Sequence, residues 1–307
     1  MLAGGVGGAK LAKGMNELKD INLSVIGNIA DDDVFHGLWV SPDIDTLTYT
    51  LAGTVNSSQG WGLEDETTNA LSMLRIFKNE TWMMLGDKDF GTHIYRTERR
   101  KRGDLPSDIA RDIATKLNVK SKILLPSNDI VQTKIKTNLG WLSFQEYFVK
   151  EKCSPKVLAV DYQGAETAAA NPQCIEAIKN ADVIIIAPSN PILSICPILS
   201  IKGVKKAIIE TDAPTIAVSP LILGKAIKGP AAKIMKALGK QPDAFGVAEY
   251  YSDFCECFVL DEKDIKLKNK FDASGYSTYF TDIYMENERD KARLAQYLVN
   301  LYNKCSK

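Results

Sequence analysis

Histidine is almost missing from this chain: among 307 residues only His36 and His93 occur. That leaves no ligand set for a histidine-rich metal centre, and zinc fits poorly. No G-x-S-x-G elbow is present, and both histidines sit in polar stretches that read as loops, so a Ser-His-Asp triad is not expected. Excess charge of one sign is missing too. The 38 Lys+Arg balance 38 Asp+Glu, which argues against a nucleic-acid-coating or anionic-membrane protein. Long apolar runs are also absent. The longest, around Val183 to Ile201, is interrupted by Pro188, Asn190, Pro191 and Pro197, short of the ~20 residues that span a bilayer. The chain opens MLAGGVGGAK, with no basic region followed by an apolar one, and reads as cytoplasmic. Cys153, Cys174, Cys196, Cys255, Cys257 and Cys305 include no C-x-x-C pair and read as reduced core thiols.

What is present is a folded α/β chain, 45% hydrophobic and 25% charged, long enough for a substantial core. Short β-branched runs alternate with helix-like stretches, which predicts a Rossmann-like, mainly parallel sheet flanked by helices. Expected strands are 23–27, 122–125, 156–160, 183–187 and 215–218. Expected helices are 8–18, 66–77, 107–117, 171–180, 231–238 and 287–303, with Ser107 as an N-cap behind Pro106. The run VIIIA lacks alternation, as a strand buried on both faces should. QTKIKT and WLSF alternate around NLG, so 131–144 reads as a hairpin. One domain over 1–307 is expected, with inserted helical and hairpin elements around 60–150.

Several motifs carry chemistry. Gly4, Gly5, Gly7 and Gly8, followed by Lys10, form a turn into a helix, where close backbone approach and unpaired N–H groups suit a phosphate. The spacing is neither a P-loop nor G-x-G-x-x-G, and no acid closes the second strand as a ribose clamp would, which speaks against an NAD-dependent dehydrogenase. Asp31, Asp32 and Asp33 follow the second strand, where α/β ligand sites collect; the bland alternative is a solvated acidic loop. SPDIDT supplies Asp43 and Asp45 before an apolar helix. One can cap that helix, while the other has no structural task and, with Asp31, could hold a hard cation. LGDKDFGTHIYR packs Asp87, Lys88, Asp89, Thr92, His93 and Arg96 into one stretch. A helix starting near Gly91 would put His93 and Arg96 on one face. Ser189, Asn190 and Ser194 follow the most hydrophobic strand, and Gly229 and Pro230 lie in a loop entering another helix. A phosphate turn, aspartates for Mg²⁺ and basic residues suit phosphoryl-group chemistry.

These segments, from AGGVGGAKLAKG through SPDIDTLTYTLAG, LGDKDFGTHIYRTE, APSNPILSICPIL and VSPLILGKAIKGPAAKIM to GVAEYYSDF, together resemble the 2-phospho-L-lactate transferase family of coenzyme F-420 biosynthesis. The resemblance implies transfer of a phospholactyl or related three-carbon phospho-acid group. The donor would be guanosine diphosphate-linked lactate or an analogue, the acceptor a hydroxyl of the deazaflavin Fo, and GMP the leaving group. It implies a Mg²⁺-dependent homodimer with no nucleic-acid or membrane partner. Asp31 and Asp45 would be the catalytic and metal-binding acids. Gly4, Gly5, Gly7, Gly8, Lys10, Ser189, Asn190 and Ser194 would hold the donor's phosphates and guanosine. Asp45, Met84, Asp87, Lys88, Thr92, His93, Arg96, Gly229 and Pro230 would line the Fo side. Met84 stands where the family pattern leads one to expect a polar or basic residue, and the first strand is only two or three residues long. The related gluconeogenesis-factor-like regulators, which bind nucleotide-sugars, share the first strand-turn-helix and are the alternative. The PDIDT, GDKDFGTHIYR and EYYSDF motifs favour the transferase.

Overall fold

A computed structural model describes residues 1–305, without the side chain of Cys305. Seven strands form one sheet: β1 (Leu2–Ala3), β2 (Ser24–Gly27), β3 (Lys122–Leu124), β4 (Ile184–Ile186), β5 (Thr215–Val218), β6 (Cys257–Leu260) and β7 (Ser277–Phe280). Their order is β7-β6-β5-β4-β1-β2-β3, and every pairing is parallel. This is the Rossmann-like sheet that the alternating pattern predicts. Leu2 lies opposite both Ile26 and Ile186, so the two-residue β1 is clamped between its neighbours in the core. Ile184, Ile185 and Ile186 are all buried, which explains why they show no alternation.

The chain winds outward from β1 to β3, then returns to place β4 on the other side of β1. The gap between the C-terminal ends of β1 and β4 is therefore the topological switch point, where open α/β sheets bind ligands. Helix α1 (Gly5–Asn16) leaves β1 there, packing on α2 (Pro42–Ala52) and on the C-terminal helix Glu288–Cys305. Helices α3 (Asp87–Lys101) and α4 (Pro106–Lys116) follow in the long excursion between β2 and β3.

Several expectations are corrected. The strand expected at 156–160 exists as Val157–Gln163 but is not in the main sheet; it pairs antiparallel with Gln132–Thr137, which also pairs with Gly140–Ser143. The physical reason is one-sided burial: Val157 is buried and Leu158 is 49% exposed, which a doubly covered parallel strand does not tolerate. Ser107 is not a cap. Leu105 holds that position, Pro106 opens the helix, and the Ser107 N–H donates to Asn128 Oδ1 at 2.8 Å. The helix expected over 66–77 spans only Asn69–Ile76. Cys174 and Cys255 are buried thiols, as expected of core cysteines. Among the described residues no helix is long and apolar enough to cross a membrane.

Candidate active site

The glycine turn and the loop after β4 are built against each other. A Cβ on Gly7 would lie 2.4 Å from the Pro188 carbonyl oxygen, so only glycine lets the two strand ends close. Ser189 Oγ donates to the Gly4 carbonyl at 2.8 Å, and the Asn190 side chain accepts from the Ile192 and Leu193 N–H groups, capping the turn that follows. Ser189 and Asn190 thus shape the site as well as lining it. Gly7→Ala should cost about 1–3 kcal/mol through overpacking, read as a lower denaturant midpoint at unchanged slope.

Acids gather beneath this turn. Neither aspartate of PDIDT caps α2, which begins at Pro42 behind Ser41. Asp43 Oδ1 instead accepts the Gly5 N–H at 2.8 Å, and its Oδ2 accepts from Asn28 Nδ2 at 3.0 Å. Gly5 sits at φ +62°, the left-handed region that favours glycine, and this aims its N–H at Asp43. Asp31 and Asp32 are buried rather than solvated. Asp32 accepts from Ser41 Oγ and Trp39 Nε1, yet burial pushes its carboxyl up to about 7. Burial raises Asp43 to about 6. Burial, then the charge of Asp43, drives Asp31 well above the usual carboxylate range. Asp31 Oδ1 has no hydrogen-bond partner. A hard, oxygen-seeking cation would satisfy that atom and relieve the repulsion, so these acids fit Mg²⁺.

Asp45 has a structural task after all. Arg96 NH2 donates to its Oδ1, and Arg96 NH1 donates to its Oδ2 at 3.0 Å, a bidentate pair with both partners buried. His93 lies inside α3, fully buried, and not in a polar loop. Its Nδ1 is 3.2 Å from Arg96 NH1, and its Nε2 is 3.3 Å from Asp89 Oδ2, too bent for a full hydrogen bond. Asp89 Oδ1 accepts from Tyr49 Oη at 2.7 Å. Burial, then the charges of Asp45 and Asp89, keeps the Tyr49 phenol protonated. The helix begins at Asp87, not near Gly91, and Asp87 accepts from Thr67, Asn69 and Ala70 at its mouth. His36 forms the turn of the hairpin Asp33–Phe35/Leu38–Val40 at φ +53°, as a loop residue.

A single cavity of about 730 Å³ joins these groups, a size suited to a substantial small molecule. Gly4, Gly5, Gly7, Lys10, Ser189, Asn190 and Ser194 line it, as do Asp31, Asp45, Met84, His93, Gly229 and Pro230. Gly8, Asp87, Lys88, Thr92 and Arg96 are not in its wall. Lys88 reaches the Glu64 carbonyl, and Arg96 lies behind Asp45. The cavity has two kinds of lining. One is polar: the glycine turn, Lys10 and Lys228, with burial and the neighbouring Lys228 lowering the pKa of Lys10. The other is apolar: Trp61, Met83, Met84, Phe144 and Phe148, the last two stacked at 5.3 Å and 15°. Residues 61–62, 83–85, 144–145 and 148–149, all within the 60–150 stretch, line it. The sequence pattern does not mark Trp61, Phe144, Phe148, Lys228 and Tyr49 as site residues. The aromatics are scattered singly, and Lys228 was one cation of a loop. The D-x-x-x-Y spacing of Asp45 and Tyr49 on α2 was the one signal available.

The family model described as 2-phospho-L-lactate transferase CofD matches residues 1–298. The chain is similar to the 2-phospho-L-lactate transferase of Methanopyrus kandleri, 36% identical over 306 residues, covering 98% of this chain and 96% of that one. It is similar to the 2-phospho-L-lactate transferase of Methanosarcina acetivorans, 34% identical over 304 residues (99% and 98%). At 35% over 308 residues (98% and 97%) it is also similar to the phosphoenolpyruvate transferase of Streptomyces griseus. In fold it matches the crystal structure of a UPF0052-family protein of Bacillus halodurans, with a TM-score of 0.65, 16% identity and 97% of both chains covered.

Proposed function

The chain belongs to the 2-phospho-L-lactate transferase family, and from that premise we infer that it moves a three-carbon phospho-acid group from a guanosine diphosphate-linked donor to the terminal hydroxyl of the deazaflavin Fo, releasing GMP. The observation that carries this reading is the doubly lined cavity: a polar wall of glycine turn and lysines and a wall of aromatic side chains flank the same buried carboxylates. A donor diphosphate suits the glycine turn with Lys10 and Lys228. A planar deazaflavin suits Trp61, Phe144 and Phe148.

In this reaction the acceptor oxygen forms a bond to the acid-bearing phosphorus. The bond from that phosphorus to the bridging oxygen breaks, and GMP leaves with the electron pair. Asp45, which lines the cavity and is held in two directions by Arg96, accepts the attacking hydroxyl's hydrogen bond and orients it, and the hydroxyl's proton ends on the phosphate of the departing GMP or on solvent. Of the two aspartates expected to hold Mg²⁺, Asp31 keeps an oxygen without a partner, whereas both oxygens of Asp45 accept from Arg96. Asp43, whose charge acts most strongly on Asp31 and whose oxygens accept from neutral N–H groups rather than from a guanidinium, is the better second ligand. Bound there, Mg²⁺ would offset charge on the diphosphate oxygens.

The relatives at 34–36% identity include both lactate- and enolpyruvate-type enzymes, so the three-carbon acid is a matter for assay. Incubation with Fo, each guanosine diphosphate-linked acid and Mg²⁺ should release GMP, detected by mass spectrometry; no GMP with any donor would overturn the reading. Phe148→Ala should raise the KM for Fo about tenfold, the scale of one lost stacking contact, and leave the donor KM unchanged.

A further inference from the structure

Helices α2 and α3 face each other through polar and ionisable residues at helical spacing. Asp45 and Tyr49 are four apart on α2; Asp89, His93 and Arg96 fall at i, i+4 and i+7 on α3. All five are buried or nearly so, and four of them line the cavity while Arg96 does not. Ionic groups in such a place either hold a metal or compensate one another.

We propose that Arg96 is a positioning residue: through an array with His93, Asp89 and Tyr49 it fixes the Asp45 carboxylate against the acceptor, and its guanidinium, not a metal ion, is the cation of this corner. This rests on the transferase reading above. The geometry orders the array. Arg96 spends both terminal nitrogens on Asp45, which fixes that carboxylate in two directions. NH1 also reaches His93 Nδ1 at 3.2 Å. A guanidinium only donates, so Nδ1 must accept and the ring proton sits on Nε2. Nε2 faces Asp89 Oδ2 at 3.3 Å, and Tyr49 Oη closes the far end on Asp89 Oδ1. The tautomer of His93 therefore follows from Arg96, and Asp89 is oriented by the Tyr49 hydroxyl while the Nε2 proton faces its other oxygen.

Asp45, Asp89 and His93 do bring three ligand atoms within 4.8 Å of one another, a spacing a metal ion could use. A divalent ion there would sit beside the guanidinium and compete for oxygens that already accept from it. Arg96 thus fills the role such an ion would have.

The test uses Arg96→Lys, which keeps the charge and loses the two-point fork. The melting temperature should remain close to wild type while kcat falls roughly 10²-fold, the scale of a 1 Å misplacement, with the donor KM unchanged. Recovery of both stability and kcat by lysine would show a merely structural charge and overturn the proposal. A second readout is independent of activity. With His36→Gln removing the other imidazole, nitrogen-15 NMR of the wild-type background at mildly alkaline pH should show His93 as the Nε2–H tautomer. An Nδ1–H tautomer would overturn the array, even if Arg96→Lys fails to fold. Crystals soaked in Mn²⁺ should show no anomalous peak bonded to Asp45, Asp89 or His93; such a peak would return this corner to a metal. Failure of the transferase reading itself would appear as no GMP from wild type, which leaves the tautomer and Mn²⁺ results interpretable.

Discussion

Asp31→Asn is expected to lower transfer by about 10²–10³-fold, the scale of losing one preorganised electrostatic contact, while the protein melts higher than wild type. The two effects have one origin. Asp31 is buried beside Asp43 with an oxygen that has no partner, so its carboxyl is held well above the usual range. A raised carboxyl binds its proton more tightly folded than unfolded. Stability from this group therefore declines as pH rises above the unfolded value near 3.8, until the folded carboxyl also ionises. The neutral amide removes that decline. In EDTA, the advantage of Asp31→Asn over wild type should be absent below about pH 4 and grow towards neutral pH, read by thermal melts across pH. Added Mg²⁺ should raise the melting temperature of wild type and not of the variant. A variant that melts lower at neutral pH, or turns over normally, would remove Asp31 from its assigned place.

Asp45→Asn should abolish transfer and also cost about 3–5 kcal/mol, because it leaves the Arg96 charge buried without its partner. A purely catalytic or metal-binding acid would lose activity alone on this change; the ion pair with Arg96 adds the loss of stability. Arg96→Met should cost a similar amount for the mirror-image reason. Asp45→Leu/Arg96→Met together should cost far less than the sum of Asp45→Leu and Arg96→Met made singly, since an apolar pair of similar volume needs no compensation. Urea unfolding of the four proteins measures the coupling. Additive losses would mean that the two side chains do not form one buried unit.

Much of this was legible in the residues. VIIIA and TIAV are doubly buried strands, and their lack of alternation said so. β6 (CFVL) carries a similar signal but lies outside the expected strands, whereas β7 (STYF) has one too weak to stand alone. The glycine turn was legible because glycine at Gly5 and Gly7 has a backbone reason that few other residues satisfy. The acids were legible as a group but not in their roles. Asp31, Asp43 and Asp45 are within fifteen residues of one another, and what separates them lies elsewhere: Arg96 from α3, Asn28 from the end of β2, and Gly5 from the turn.

The sequence by itself determined the sheet's class, the glycine turn and the clustering of acids, since periodicity, backbone freedom and charge repulsion are local properties of a chain. Only the tertiary structure decided which acid is compensated. Burial and partner choice depend on residues brought together across the fold, and they make Asp45 half of an ion pair while leaving Asp31 with an unmet oxygen. It also gave the scarce histidine its meaning: His36 turns a hairpin, and His93, buried between Arg96 and Asp89, stands within an array that no local spacing announced.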